Sequence, residues 1–207
     1  MALTNAYCTV AQLRTQFGDS GSSLSLELLE RAINATSRAI DKYCGRRFWI
    51  DSVVQTLTFP VEEDVTDLVW IDDIATTTGL IVKTDDTGDG SYATTWTIGT
   101  DFRLEPRNAD KHGPSYAWWR IQATGNKRFP GPALIDPVQV TAKYGWSVVP
   151  DEIEQACILR AAAIFKRNEA PFGVAGFGDF GVVRITRRDP DVLELLNDYV
   201  KMTVGAV

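Results

Sequence analysis

Chemistry in a folded chain needs a nucleophile with a base, paired carboxylates or metal ligands at workable spacing, and this sequence of 207 residues is sparing with all three. Its single histidine, His112, lies in the loop pattern Asp110-Lys-His-Gly-Pro, and no Ser or Cys stands in an elbow motif that it could serve. A solvated loop residue is the expectation. The run Asp85-Asp-Thr-Gly-Asp-Gly opens like a calcium loop, but Thr87 holds the third position and Trp96 the twelfth, where a bidentate Glu is required. A turn between strands accounts for it better. Asp72 and Asp73 are the nearest approach to a carboxylate pair for hydrolysis, yet they adjoin a strand end where a turn role suffices. Gly173, Gly176 and Gly178 follow a helix instead of a strand and lack a Gly-Lys-Ser/Thr, so they do not read as a phosphate cradle. Cys8, Cys44 and Cys157 are odd in number and widely spaced, as reduced structural thiols are. No catalytic residue, metal or cofactor is expected.

Recognition is better supplied than catalysis. Residues 171–181 interleave four glycines with Phe172, Phe177 and Phe180. Either the glycines give mobility and the rings anchor a segment that orders on a partner, or the rings tuck into the chain's own core. Just beyond, Arg184, Arg187 and Arg188 form a basic run in an acidic protein: a solvated face, or a dock for an acidic partner. Trp118-Trp119-Arg120 offers aromatics that stack on sugars or bases, but neighbouring strand residues point to opposite faces. One tryptophan should pack in the core and the other on the rim.

A formal net charge of -6 argues against general binding of nucleic acid, whose phosphates need a basic surface. No apolar run approaches the roughly 20 residues that span a bilayer, and residues 1–20 lack the pattern of a signal peptide. A chain made and kept in a cytoplasm is expected.

These side chains are positioned by two kinds of element. Residues 9–17 space Val10, Leu13 and Phe17 for a short helix capped by Thr9. Residues 24–44 carry a helical stripe of Leu26, Leu29, Ile33, Ile40 and Tyr43, broken by Thr36, with Ser25 or a preceding serine as cap and Gly45 as stop. The longest apolar element is residues 149–168. Pro150 and the acidic Asp151, Glu152 and Glu154 suit its first turn and Lys166 and Arg167 its last, while residues 156–165 hold one charge, Arg160. A helix apolar nearly all round is buried on several sides. Asp189-Pro190 opens a last helix with Val192, Leu195, Leu196, Tyr199 and Val200 on its apolar face. Between Gly45 and Pro150 the period changes to short stretches rich in Val, Ile, Thr and aromatics: 52–59, 68–71, 80–83, 94–98, 102–104, 116–122 and 138–144. Residues 97–102 read as a tight connection between paired strands. The fold class is therefore α+β: a helical bundle core of about four helices, residues 1–45 and 148–207, with an inserted β-sandwich or barrel-like domain at 46–147.

The order of elements, with particular residues, resembles the head-to-tail connector proteins of tailed phages, also called adaptor or head completion proteins. The resemblance rests on Tyr7-Cys-Thr-Val-Ala-Gln-Leu followed by Leu28-Leu-Glu-Arg-Ala-Ile, on Ile40-Asp-Lys-Tyr-Cys-Gly-Arg-Arg-Phe, and on Tyr144-Gly-Trp-Ser-Val-Val-Pro-Asp-Glu-Ile-Glu-Gln-Ala. It implies a non-enzymatic virion protein, assembled in the host cytoplasm, whose copies form a ring, commonly twelve-fold, at the head–tail interface. The portal protein lies on one side, a tail-completion or stopper protein on the other, and DNA passes through the channel without specific binding or a membrane. On this basis Phe172, Phe177, Phe180, Arg184, Arg187 and Arg188 are the expected portal or ring interface. The β segment is larger than in short members of the family. The rival reading is a carbohydrate- or receptor-binding β module on a helical base, which would use Trp118 and Trp119.

Overall fold

The computed structural model describes residues 2–18, 23–63, 65–169, 174–176, 182–184 and 189–201. Within them the protein is α+β, with four helices and antiparallel sheets, and the chain divides into a helical unit, Met1–Arg46 with Val149–Val207, and a β unit, Arg47–Val148.

In the helical unit, α1 (Val10–Thr15) starts at a capping box: the Thr9 hydroxyl accepts the Gln12 N–H at 3.2 Å and the Gln12 side chain accepts the Thr9 N–H at 2.7 Å. Helix α2 (Leu26–Cys44) ends at Gly45, whose φ of 62° is the left-handed stop expected of it. The free carbonyl of Cys44 is taken by the Lys201 N–H at 2.7 Å, so the chain beyond the last helix closes this helix end. The buried line of α2 is Leu29, Ala32, Ile33, Thr36, Ser37, Ile40 and Cys44. This corrects the expected stripe: Leu26 and Tyr43 are exposed, and Thr36 lies inside it. The cause is the small residues Ala32, Thr36 and Ser37, which count little toward an apolar pattern yet mark where another helix comes close. Ser25 occupies the N-cap, but among the described residues its hydroxyl makes no capping bond.

Helix α3 (Asp151–Glu169) packs against α1, α2 and α4. Ile153, Ala156, Cys157 and Ala161 are wholly buried, and no residue from 156 to 165 is exposed, as the near-continuous apolarity requires. Helix α4 (Pro190–Asn197) starts at Asp189, whose carboxylate accepts the Asp191 N–H at 3.1 Å, and buries Val192 and Leu196. Val200, expected on its apolar face, lies beyond the helix end and is exposed.

The β unit holds two sheets. One has the order β1 (Gln55–Phe59), β7 (Val138–Ala142), β3 (Ile81–Thr84), β4 (Thr94–Trp96); the other has β2 (Leu68–Ile74), β6 (Trp118–Ala123), β5 (Phe102–Glu105). Register places Leu57, Val140, Val82 and Trp96 side by side across the first sheet, and Val69, Ile121 and Leu104 across the second. These rows, with Leu57 half-buried at the edge, belong to one buried cluster with Phe59, Ile71, Phe102, Phe129 and Tyr144. Residues 97–102 do not join paired strands, contrary to expectation: β4 and β5 belong to different sheets, and the turn carries the chain between them. The Asp101 carboxylate holds it by accepting the Thr97 N–H at 2.8 Å.

The two ends of the β unit are clasped inside it. The Asp51 N–H donates to the Tyr144 carbonyl at 2.8 Å, the Gly145 N–H donates to the Asp73 carbonyl at 2.6 Å, and the Trp146 indole N–H donates to the Asp73 carboxylate at 3.0 Å. Asp73 faces inward because the register of β2 shifts between Trp70 and Ile74. Phe48 packs on Trp146 with centroids 5.3 Å apart, and the Arg47 guanidinium pairs with the buried Asp51 at 2.7 Å. Gly145 sits at the crossing: its φ is +112°, and a Cβ there would lie 1.8 Å from the Trp49 carbonyl oxygen. Gly145→Ala should therefore destabilise the β unit by at least about 3 kcal/mol, through both backbone strain and main-chain collision. Denaturant unfolding followed by tryptophan fluorescence reads it, and an unchanged midpoint would show that the two segments do not cross this closely.

Candidate functional site

The residues singled out for recognition are distributed unevenly over the described structure. Strands β8 (Val174–Gly176) and β9 (Val182–Arg184) pair antiparallel, with Val174 opposite Arg184 and Gly176 opposite Val182. Arg184 is thus placed at the end of a two-stranded ribbon that follows α3. Phe172, Phe177, Phe180, Arg187 and Arg188 lie outside the described residues, as do Gly173 and Gly178. The ribbon enters from α3 and leaves toward α4, and α4 is fixed in the helical unit by more than its apolar face. The Tyr43 hydroxyl donates to the Asn197 side chain at 2.9 Å, and the Tyr199 hydroxyl donates to Glu152 at 2.9 Å. Burial, with the Glu152 carboxylate beside it, keeps the Tyr199 phenol protonated well above its usual range. The helices that precede and follow these residues in sequence, α3 and α4, are therefore packed together in the helical unit.

The tryptophans are used internally. Trp118 is buried and meets Tyr116 edge-on at 5.1 Å, whereas Trp119 is half-buried, the division expected of neighbours on a strand. Trp70 lies under the Arg120 guanidinium at 5.2 Å, Trp49 under Arg47 at 4.7 Å, and Trp96 stacks on Phe129 at 4.4 Å. Faces covered in this way serve packing better than they serve as a sugar platform.

The candidate catalytic residues are likewise dispersed. His112 is exposed and follows a single 3-10 turn at Ala109–Lys111. Asp72 is exposed while Asp73 is buried against the Trp146 indole, so the two carboxylates do not share a site. Among the described residues no cluster of three His, Cys, Asp or Glu side chains is arranged to hold a metal. The calcium-like run is a turn built on Asp85. This carboxylate is 4% exposed and accepts the N–H groups of Thr87 at 3.1 Å, Gly88 at 2.7 Å and Gly90 at 2.8 Å, with the Thr87 hydroxyl at 3.3 Å. Main-chain donors fill the positions that a cation would need free, and Trp96, the would-be twelfth ligand, is in the core.

One surface escaped the sequence reading. On the first sheet, the rows alternating with the buried ones are Thr56, Thr141 and Ile81, then Thr58, Gln139, Lys83 and Thr95, all exposed or half-buried. The period of two in these strands carries the signal, once pairing is known. Apolar side chains left in solvent add Val53, Val54 and Ile135 to the β unit and Leu26 to the helical unit.

No family model matches the chain, and no curated protein does. Its fold is similar to that of solved chains from one kind of particle. A chain in the virion of a native gene transfer agent particle matches with a TM-score of 0.53 at 19% identity, over 100% of this chain and 96% of the other. A chain in the neck of an empty gene transfer agent particle, computed with C6 symmetry, matches with a TM-score of 0.50 at 20% identity, again over 100% and 96%. At these identities the likeness establishes a shared fold across both units. No helix among the described residues is long and apolar enough to cross a membrane.

The Asp85 turn yields a pH test. Burial pushes its carboxyl up, but the N–H groups of Gly90, Gly88 and Thr87 and the Thr87 hydroxyl outweigh this and hold it below the usual carboxylate value of about 3.9. Its folded pKa being the lower one, its contribution to stability is complete above that unfolded value and is lost as pH falls through the folded value. Stability of wild type relative to Asp85→Asn should thus be greater at neutral pH and shrink on acidification below that window. A gap independent of pH would contradict the assignment.

Proposed function

We propose that this chain is a structural virion protein of a tailed-phage-like particle, a head-to-tail connector whose copies close into a homo-oligomeric ring between the portal and the tail. The observation that carries the reading is the full-length fold likeness to chains from the virion and the neck of a gene transfer agent particle. It agrees with the connector resemblance of the blocks around Tyr7, Ile40 and Tyr144. The six-fold symmetry of that neck is compatible with a ring of twelve, because a twelve-fold axis contains a six-fold one. The role is mechanical and includes no catalytic step. A net charge of -6 suits a channel wall that lets DNA pass, since lysine- and arginine-rich walls would hold phosphates.

In this reading the helical unit is the rigid body of each subunit, and the segment between α3 and α4 makes the portal contact, with Phe172, Phe177 and Phe180 as apolar anchors and Arg184, Arg187 and Arg188 as the charged rim. Anchoring the segment at both ends by packed helices limits the entropy lost on docking, which runs at about 1–2 kcal/mol for each residue ordered. The opposite side of the ring receives the tail-completion protein. Replacing Phe172, Phe177 and Phe180 together by Ser should leave the thermal midpoint near that of wild type and abolish ring-on-ring complexes with purified portal in negative-stain electron microscopy. Failure of the wild-type protein to form such complexes with intact portal rings would overturn the connector reading. A collapse of the midpoint in the triple variant would assign the rings to the protein's own core instead.

A further inference from the structure

Two of the three thiols are neighbours. Cys8 and Cys157, separated by 149 positions in sequence, place their sulfurs 3.5 Å apart, and both are buried and unbridged. Cys157 stands in the middle of α3, and Cys8 ends the N-terminal segment that lies along α2. That segment is held by a ladder of polar contacts: the Thr4 N–H to Asn34 at 3.1 Å, Asn34 to the Ala2 carbonyl at 3.1 Å, Arg38 to the Asn5 carbonyl at 2.8 Å, and the Tyr7 N–H to the Ser37 hydroxyl at 3.1 Å. The Tyr7 hydroxyl adds a bond to Asp41. The Ser37 hydroxyl also lies 3.6 Å from the Cys157 sulfur, so the two cysteines and the ladder form one cluster between the segment, α2 and α3.

We propose that Cys8 and Cys157 are a redox-sensitive pair that closes to a disulfide and so clamps the N-terminal segment covalently onto α3. The inference goes beyond the connector reading and stands without it. A covalent bond needs the sulfurs at about 2.0 Å, so they must approach by about 1.5 Å. The partners differ in readiness. The hydrogen bond that the Cys8 S–H donates to Cys157, together with burial, holds the Cys8 thiol protonated. The same bond, against burial and with help from Ser37 and the N–H groups of Tyr7 and Cys8, favours the thiolate at Cys157. With hydrogen peroxide as oxidant, the Cys157 sulfur attacks one peroxide oxygen, the O–O bond breaks, and hydroxide leaves to give a sulfenic acid. The Cys8 sulfur then attacks the Cys157 sulfur, its proton leaves with the departing hydroxyl as water, and the S–S bond forms. Each sulfur loses one electron and peroxide gains two. Access comes through local opening of the N-terminal ladder, whose contacts at Thr4, Asn34 and Arg38 are exposed. Cys44 has no such partner among the described residues, and burial pushes its thiol up to about 12, so it stays out of the exchange.

The full chain, purified with reductant and then freed of it, should be treated with one equivalent of hydrogen peroxide in its folded state and mapped by mass spectrometry without reduction. The expected product links the peptides of Cys8 and Cys157, leaves Cys44 alkylatable after unfolding, and melts at a higher temperature than the reduced protein, an increase reversed by dithiothreitol. In Cys8→Ser the link and the shift in midpoint should both vanish, and Cys157 should accumulate as sulfenic and sulfinic acid. The proposal is overturned if both thiols of the folded wild type remain alkylatable after peroxide, or if links to Cys44 form in equal yield.

Discussion

Helix α3 packs against α1, α2 and α4, and the helical unit depends on those contacts. A helix can meet neighbours on several sides only if its side chains are short where backbones come close, and Ala156, Cys157 and Ala161 supply this on α3 as Ala32, Thr36 and Ser37 do on α2. Larger residues fill the space between: Ile153 and Phe165 from α3, Leu29, Ile33 and Ile40 from α2, each worth roughly 1.5–3 kcal/mol when fully buried. Because α1 and α4 also pack on α3, the N-terminal segment and the last helix both take their positions from one rod. A bulky substitution at Ala156 or Ala161, both wholly buried, would push against the helices packed on α3.

The β unit obeys a separate constraint. Its chain enters at Arg47 and leaves at Val148, and both ends are stitched to each other and to β2 by main-chain bonds, by Asp73 and by the close pass at Gly145. An insertion whose ends are joined internally completes its own core, which here draws on both sheets. Sequence changes among its surface loops are therefore tolerated so long as Asp51, Asp73, Gly145 and Trp146 are kept.

Much of this was legible in the sequence, for identifiable reasons. The four helices announce themselves through caps and stops such as Thr9, Gly45 and Pro190, and the seven strands of the β unit through short stretches rich in Val, Ile, Thr and aromatics. Three things were not. The buried line of α2 runs through small polar residues that a hydrophobic pattern passes over, which is why Leu26 and Tyr43 were misplaced inside it. The turn at residues 97–102 has the composition of a hairpin, but whether two strands pair or part is decided by the strands on their other sides, here β3 for β4 and β6 for β5. The approach of Cys8 to Cys157 across 149 positions has no local signal at all. The residues expected at an interface stand differently: Arg184 has a place at the end of β9, and Phe172, Phe177, Phe180, Arg187 and Arg188 lie outside the described residues.

The proposed role, a ring subunit at the head–tail junction, is supported by the full-length fold likeness to chains of a gene transfer agent particle. The most direct measurement is a cryo-electron microscopy reconstruction of the intact particle that carries this chain, with the junction refined by itself. The connector account predicts a closed ring of this fold seated between portal and tail around the DNA channel. Density for this fold in the capsid shell or the tail fibres, with none at the junction, would contradict it.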